Sequence, residues 1–162
     1  MKMRLLAGMA AFLAVTPVWA TEPCDLHLVD FGLYAGNVVQ NAGKDATGND
    51  LKELSQRHLL RRTEGIPASK GVEFGIEYVA FSTDSNQKIK LTLELTHPPV
   101  TDPKTKQTSS SETWEKEITP GVKFQSGFGF DQDWEVVPGP WTLKITSGCR
   151  NTLEKTFAVH KP

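Results

Sequence analysis

The residues best suited to chemistry fall in two short stretches. His97 precedes Pro98-Pro99. The prolines fix the local backbone and remove amide donors, which leaves the imidazole at a strand exit. There it can exchange a proton or ligate a metal, or simply hydrogen-bond to nearby backbone as a turn residue. Asp131, Asp133 and Glu135 occupy alternate positions, with Trp134 among them. In an extended loop the three carboxylates project to one side, an arrangement suited to a hard cation such as calcium. The pattern stops there, because neither the central glycine nor the distal glutamate of an EF-hand loop follows. A solvated acidic turn is the plainer reading. His97, Asp131, Asp133, Trp134 and Glu135 are therefore the candidate ligand- or partner-binding residues, with no metal and no cofactor expected.

Other constellations carry less. His27, His58, His97 and His160 are far apart and show neither His-x-His nor His-Glu-x-x-His spacing, so a zinc site is not indicated. Ser109-Ser110-Ser111 lacks the Gly-x-Ser-x-Gly elbow that holds a nucleophile on a strained turn. Glu73 and Glu77 read as the wet face of one strand rather than as a glycosidase pair. Gly127-x-Gly129 has no phosphate-loop spacing and no following helix, which leaves flexibility or a bulge. Trp114, Trp134 and Trp141 suit a sugar- or peptide-binding face, but a sandwich tryptophan more often fills the core, and Trp141 is read that way. No catalytic residue is assigned.

The two cysteines are Cys24 and Cys149, and what precedes them sets their compartment. Lys2 and Arg4 lead into an apolar run from Leu5 to Val15, and Val18 and Ala20 supply small residues before a cleavage point after Ala20. This is the pattern of a secretory leader over residues 1–20, too short to span a bilayer comfortably and followed by no stop-transfer flank. Thr21-Glu22-Pro23 before Cys24 does not match a lipobox. Export to the periplasm or beyond makes an internal disulfide the default. Closing that loop restricts the unfolded chain by about 5 kcal/mol in the loop-entropy model. A bridge between two copies and a free thiol pair are the competing readings, and no Cys-x-x-Cys spacing suggests redox catalysis.

Once the leader is removed, residues 21–162 suit a single domain. Lys2 and Arg4 leave with it, so a mild acidic excess remains, since all 19 acidic residues lie beyond residue 20. That balance argues against nucleic acid, which asks for a basic stripe. Arg57, Arg61 and Arg62 read as a solvated strand face.

The elements that must position these groups have a period of two. Val72, Phe74, Ile76 and Tyr78 alternate with polar or small residues, as do Ile89, Leu91, Leu93 and Leu95, and the turn-rich Thr83–Asn86 between them predicts an antiparallel hairpin. Trp141, Leu143 and Ile145 with Leu153, Phe157 and Val159 predict a second hairpin across Ser147–Asn151. The first strand is expected over Leu26–Tyr34, with Gly32 marking a bulge. A Cys24–Cys149 bridge would pin that strand to the turn of the last hairpin. Gly36–Asp50 and Thr101–Thr113 read as loops, the second as mobile. Residues 51–60 fit a short helix or the lead into a strand, and a strand is preferred for 57–63. Short extended pieces follow at 114–118, 122–124, 127–130 and 134–137. Seven or eight such strands with frequent turns make an all-β, Ig-like antiparallel sandwich.

An ordered set of motifs extends this reading: Phe31-Gly32-Leu33-Tyr34, Ile66-Pro67-Ala68 with Gly71 and Phe74-Gly75-Ile76, Thr96-His97-Pro98-Pro99, and Pro138-Gly139-Pro140-Trp141-Thr142. The set resembles a bacterial family of exported domains of unknown function. The resemblance runs from Phe31 to about Val159 and implies an Ig-like β-sandwich, with no activity attached. None of the matching pieces contains a cysteine, so the disulfide expectation rests on the compartment alone.

The function expected from these residues is noncatalytic binding or assembly in the periplasm, with another envelope protein as partner. The partner would add to an edge strand by β-augmentation or bind the loops around His97 and Asp131. Its rivals are a small hydrolase or metal-dependent enzyme built from scattered His, Asp and Glu, and a purely structural envelope protein with an exposed apolar edge and no pocket.

Overall fold

The structure is a computed structural model that describes residues 24–44 and 50–161, without the side chains of residues 37–56. The expected leader, residues 1–20, and the expected cleavage point after Ala20 lie outside the described residues. The strands are β1 (Cys24–Lys44), β2 (Asp50–Arg61), β3 (Gly65–Pro67), β4 (Glu73–Ser82), β5 (Ile89–Thr101), β6 (Thr108–Ile118), β7 (Lys123–Gly129), β8 (Gly139–Ser147) and β9 (Leu153–His160). They form two sheets, ordered β2-β1-β4-β7 and β3-β9-β8-β5-β6. Only the short β3, paired with β9, is parallel to its neighbour.

Alternation decides the faces. Phe74, Ile76, Tyr78 and Ala80 of β4 are buried against Leu91, Leu93 and Leu95 of β5 and Trp141, Leu143 and Ile145 of β8 in one continuous core. Trp141 is fully buried. Phe74 stands edge-on to it at 5.9 Å between centroids, and Phe130 does so at 5.3 Å. Edge-to-face packing suits the ring quadrupoles and adds to what burial alone contributes.

The predicted β4–β5 hairpin does not form. β4 pairs with β1 and β7, β5 with β6 and β8, and the connection through residues 83–88 crosses from one sheet to the other. Alternation specifies which face a strand buries but not which strand lies beside it. The C-terminal hairpin does form, with Trp141 opposite Phe157 and Ile145 opposite Leu153.

Two expected loops and two sets of expected extended pieces are corrected. Most of 36–50 is strand: β1 continues to Lys44 and β2 starts at Asp50, pairing through Lys44↔Asp50. The Asn- and Gly-rich composition there reads as loop although the backbone is paired. In the second expected loop only residues 102–107 lie outside strands, because Val100 and Thr101 pair with Ser109 and Thr108. Residues 122–124 and 127–130 belong to one strand region, β7 and its end. Residues 134–137 are not extended, since Asp133–Glu135 is a 3₁₀ turn.

Cys24 and Cys149 are joined in a disulfide with their Cα atoms 4.6 Å apart. Around it, Arg150 donates its N–H to the Cys24 carbonyl at 2.9 Å. The Asn151 amide takes the Leu26 N–H at 2.7 Å and gives its own N–H to the Leu26 carbonyl at 2.6 Å. The turn of the last hairpin is thus stitched to the first strand across the two sheets, as expected from sequence.

Candidate functional site

The pole opposite the disulfide holds the candidate residues. β5 reaches it at His97–Thr101, β7 at Gly129, β8 leaves it at Gly139, and β1 passes β4 at the Tyr34↔Glu73 pair. Beyond Tyr34, β1 keeps only β2 as a neighbour and the two continue as a ribbon with four register shifts along their pairing. Each shift bends and twists a ribbon of this kind.

His97 lies within β5, not at its exit. The pairing of β5 with β6 shifts between Thr96 and Val100, and this irregularity accommodates Pro98 and Pro99 inside a strand. Its ring is 6% exposed and stacks on Trp141 with centroids 4.7 Å apart and planes 21° off parallel. Nδ1 sits 2.8 Å from the Pro98 carbonyl, an acceptor, so Nδ1 carries the proton and donates. Nε2 is buried with no hydrogen-bond partner. Burial holds the imidazole below its usual pKa and the Pro98 contact offsets part of that.

The acidic stretch does not converge on a cation. Glu135 is buried, and its Oε2 accepts the N–H groups of Asp131 at 2.8 Å and Gln132 at 2.7 Å. The carboxylate therefore closes its own 3₁₀ turn. Asp131 and Asp133 are exposed, while Trp134 packs partly buried against the core. The alternate spacing failed as a guide because it presumes extended backbone. Trp141 links this turn to His97: its indole N–H donates to the Val137 carbonyl at 3.0 Å while its face carries the imidazole. Among the described residues no group of three His, Cys, Asp or Glu side chains is placed to hold a metal ion.

The structure assembles a polar cluster that sequence reading missed, on the outer face of the four-stranded sheet at the root of the ribbon. Arg57 Nε lies 3.5 Å from Glu73 Oε2, Lys123 Nζ 3.0 Å from Glu77 Oε1, and Arg62 Nε 2.9 Å from Asp30 Oδ1. Gln125 donates to Glu77 at 3.2 Å. Arg61 and Arg62 are the exposed residues expected, but Arg57 is largely buried, and burial lowers its pKa against the pull of Glu73. Glu73 and Glu77 are likewise half-buried in ion pairs rather than a wet face. Tyr34 is buried beside them with no hydrogen-bond partner on its hydroxyl. Burial, then the Asp30 and Glu77 carboxylates, push its pKa up to about 12. The one sequence signal was the even spacing of Glu73, Gly75 and Glu77, which puts both glutamates on the non-core face. Nothing in the sequence brings residues 34 and 57 beside them.

Comparison with known proteins adds the fold and the family. An immunoglobulin-like protein from Pseudomonas aeruginosa superposes with a TM-score of 0.61 at 23% identity, covering 89% of this chain and 100% of that one. At that identity the likeness shows the shared fold. No curated protein matches the sequence. The family model for a domain of unknown function, DUF3859, matches residues 24–159. The chain, from its first cysteine to the end of its last strand, is a member of that family.

Proposed function

We propose that this protein is an exported, noncatalytic binding module of the cell envelope whose recognition element is the β1–β2 ribbon. The observation that carries this reading is the extension of β1 and β2 past the start of β4, where no third strand accompanies them among the described residues. A two-stranded ribbon alone in water is marginally stable, and a third strand or a packed face is what makes it independently stable. A partner that covers the ribbon supplies what the sandwich does not. The disulfide supports export, since such bridges persist in oxidising compartments. The polar groups at the same pole are engaged in local structure, with Glu135 closing its own turn and His97 stacked in the core.

The test is photo-crosslinking in the native cell from probes placed one at a time at Asn41 and Lys52 in the ribbon, with Thr92 on the outer face of the other sheet as reference. A discrete adduct with one envelope protein from the ribbon positions, absent from Thr92, supports the reading. Equal labelling from all three positions removes it.

A further inference from the structure

Among the described residues four strands leave an edge open: β2 and β7 in one sheet, β3 and β6 in the other. Open edges present unpaired N–H and C=O groups to any passing strand, and folds blunt them with bulges, brevity, proline, edge lysines or inward-pointing charge. Three of these edges carry such a device. β2 meets β1 through repeated register shifts. β3 has three residues and ends on Pro67. β6 sets Glu112 and Lys116 opposite Leu95 and Leu91, on the core-facing side.

β7 carries only one lysine, Lys123, at its first residue. It pairs with β4 without a shift from Glu73↔Gly129 to Val79↔Lys123 and contains neither proline nor an inward charge. The ladder also tells which of its groups face outward. Phe130 donates its N–H to the Val72 carbonyl. The Phe74 and Ser126 carbonyls lie between the strands, where a Cβ on Gly127 or Gly75 would meet them at 2.0 and 2.3 Å. Bonded and non-bonded pairs alternate along an antiparallel ladder. Phe124, Ser126 and Phe128 therefore bond to β4, while Lys123, Gln125, Gly127 and Gly129 turn their N–H and C=O toward the open edge.

We propose that this edge pairs antiparallel with the same edge of a second copy, about a two-fold axis at Ser126, joining the two four-stranded sheets. The strand Lys-Phe-Gln-Ser-Gly-Phe-Gly is self-complementary in that register. Gln125 faces the partner's Gly127 and Lys123 faces the partner's Gly129, so each long outer-face side chain meets a glycine. Phe124 meets the partner's Phe128 on the core-facing side, an aromatic cross-strand pair that stabilises a sheet. All four outward residues gain both hydrogen-bond partners, and the two Lys123 ammonium groups sit at opposite ends of the seam. The interface is isologous, the commonest closed symmetry. It uses an edge other than the ribbon and does not depend on the ribbon's role.

The mature protein with its disulfide intact is studied by sedimentation equilibrium and by amide exchange over a concentration series up to about 1 mM, the weak end of specific association. The expected result is a reversible dimer in which the Gln125, Gly127 and Gly129 amides exchange at least about tenfold more slowly than in dilute protein, with Phe124, Ser126 and Phe128 unchanged. Gln125→Pro removes one outward N–H and leaves the ladder to β4 intact, and is expected to weaken the dimer, whereas Gln125→Ala keeps the amide and keeps the dimer. A monomer at every concentration, or a dimer that leaves those three amides fast, overturns the proposal, and the exchange readout decides even where Gln125→Pro fails to fold. A monomer whose β7 amides are protected only by an added extended peptide overturns the second-copy occupant and leaves the ribbon reading standing.

Discussion

The imidazole of His97 lies nearly parallel to the indole of Trp141, 4.7 Å away, and donates through Nδ1 to the carbonyl of Pro98. The ring is thus a core side chain, and its second nitrogen, Nε2, is the buried acceptor it leaves over. Protonating Nε2 would place a cation in the core. The folded state therefore binds a proton on His97 less readily than the unfolded chain, whose reference pKa is 6.5. By linkage, the contribution is complete above that value and is lost as pH falls toward the depressed folded pKa. Urea unfolding across pH 7 to 5 should show stability declining with acid, and His97→Phe, which keeps a ring on Trp141, should flatten that decline. An unchanged slope in the variant would assign the acid sensitivity elsewhere.

Both tyrosines of the chain, Tyr34 and Tyr78, are buried, and burial raises both phenols, Tyr34 to about 12. Alkaline spectrophotometric titration should therefore give no tyrosinate absorbance near the ordinary pKa of 10.0. A wave near 10 in folded protein that Tyr34→Phe abolishes would show that the outer-face cluster is open to water.

The stitch at the disulfide end makes two separable contributions. The paired substitution Cys24→Ala and Cys149→Ala should cost about 3–5 kcal/mol of unfolding free energy, because the bridge closes a loop of 125 residues. Asn151→Ala in the oxidised protein should cost about 1 kcal/mol for the two bonds to Leu26. Denaturant melts of the three proteins check both values, and an Asn151→Ala loss as large as that of the cysteine pair would contradict this division.

Glu135→Ala removes the acceptor of two backbone N–H groups and should destabilise by about 1–2 kcal/mol, with Glu135→Gln intermediate because its amide oxygen still accepts. Calcium added to the unaltered protein should leave the melting temperature where it is. A calcium-dependent rise that Glu135→Ala abolishes would restore the cation reading.

What could be read in advance was what local chemistry dictates. Val72 to Tyr78 and Trp141 to Ile145 declare their buried faces by alternation, and Cys24 and Cys149, the chain's two cysteines, form the expected bridge. Strand partnership was hidden, because nothing within residues 83–88 says whether the chain folds back beside β4 or crosses to the other sheet. The ribbon was hidden by composition, since an Asn-, Gly- and Asp-rich stretch without apolar alternation reads as a loop. The Arg57, Glu73 and Tyr34 cluster was hidden by distance along the chain, and Glu135 by a backbone that turns where alternation presumed extension.

The proposed reading assigns the ribbon to recognition and leaves stability to the sandwich. In the most direct measurement, residues 38–54 are replaced by an Asn-Gly turn, and melting temperature and formaldehyde crosslinking to envelope protein, which needs no probe in the replaced segment, are compared with those of the intact protein. The expected result is a melting temperature within a few degrees and complete loss of the adduct that the intact protein forms. A collapsed fold, or an adduct that survives the replacement, would contradict it.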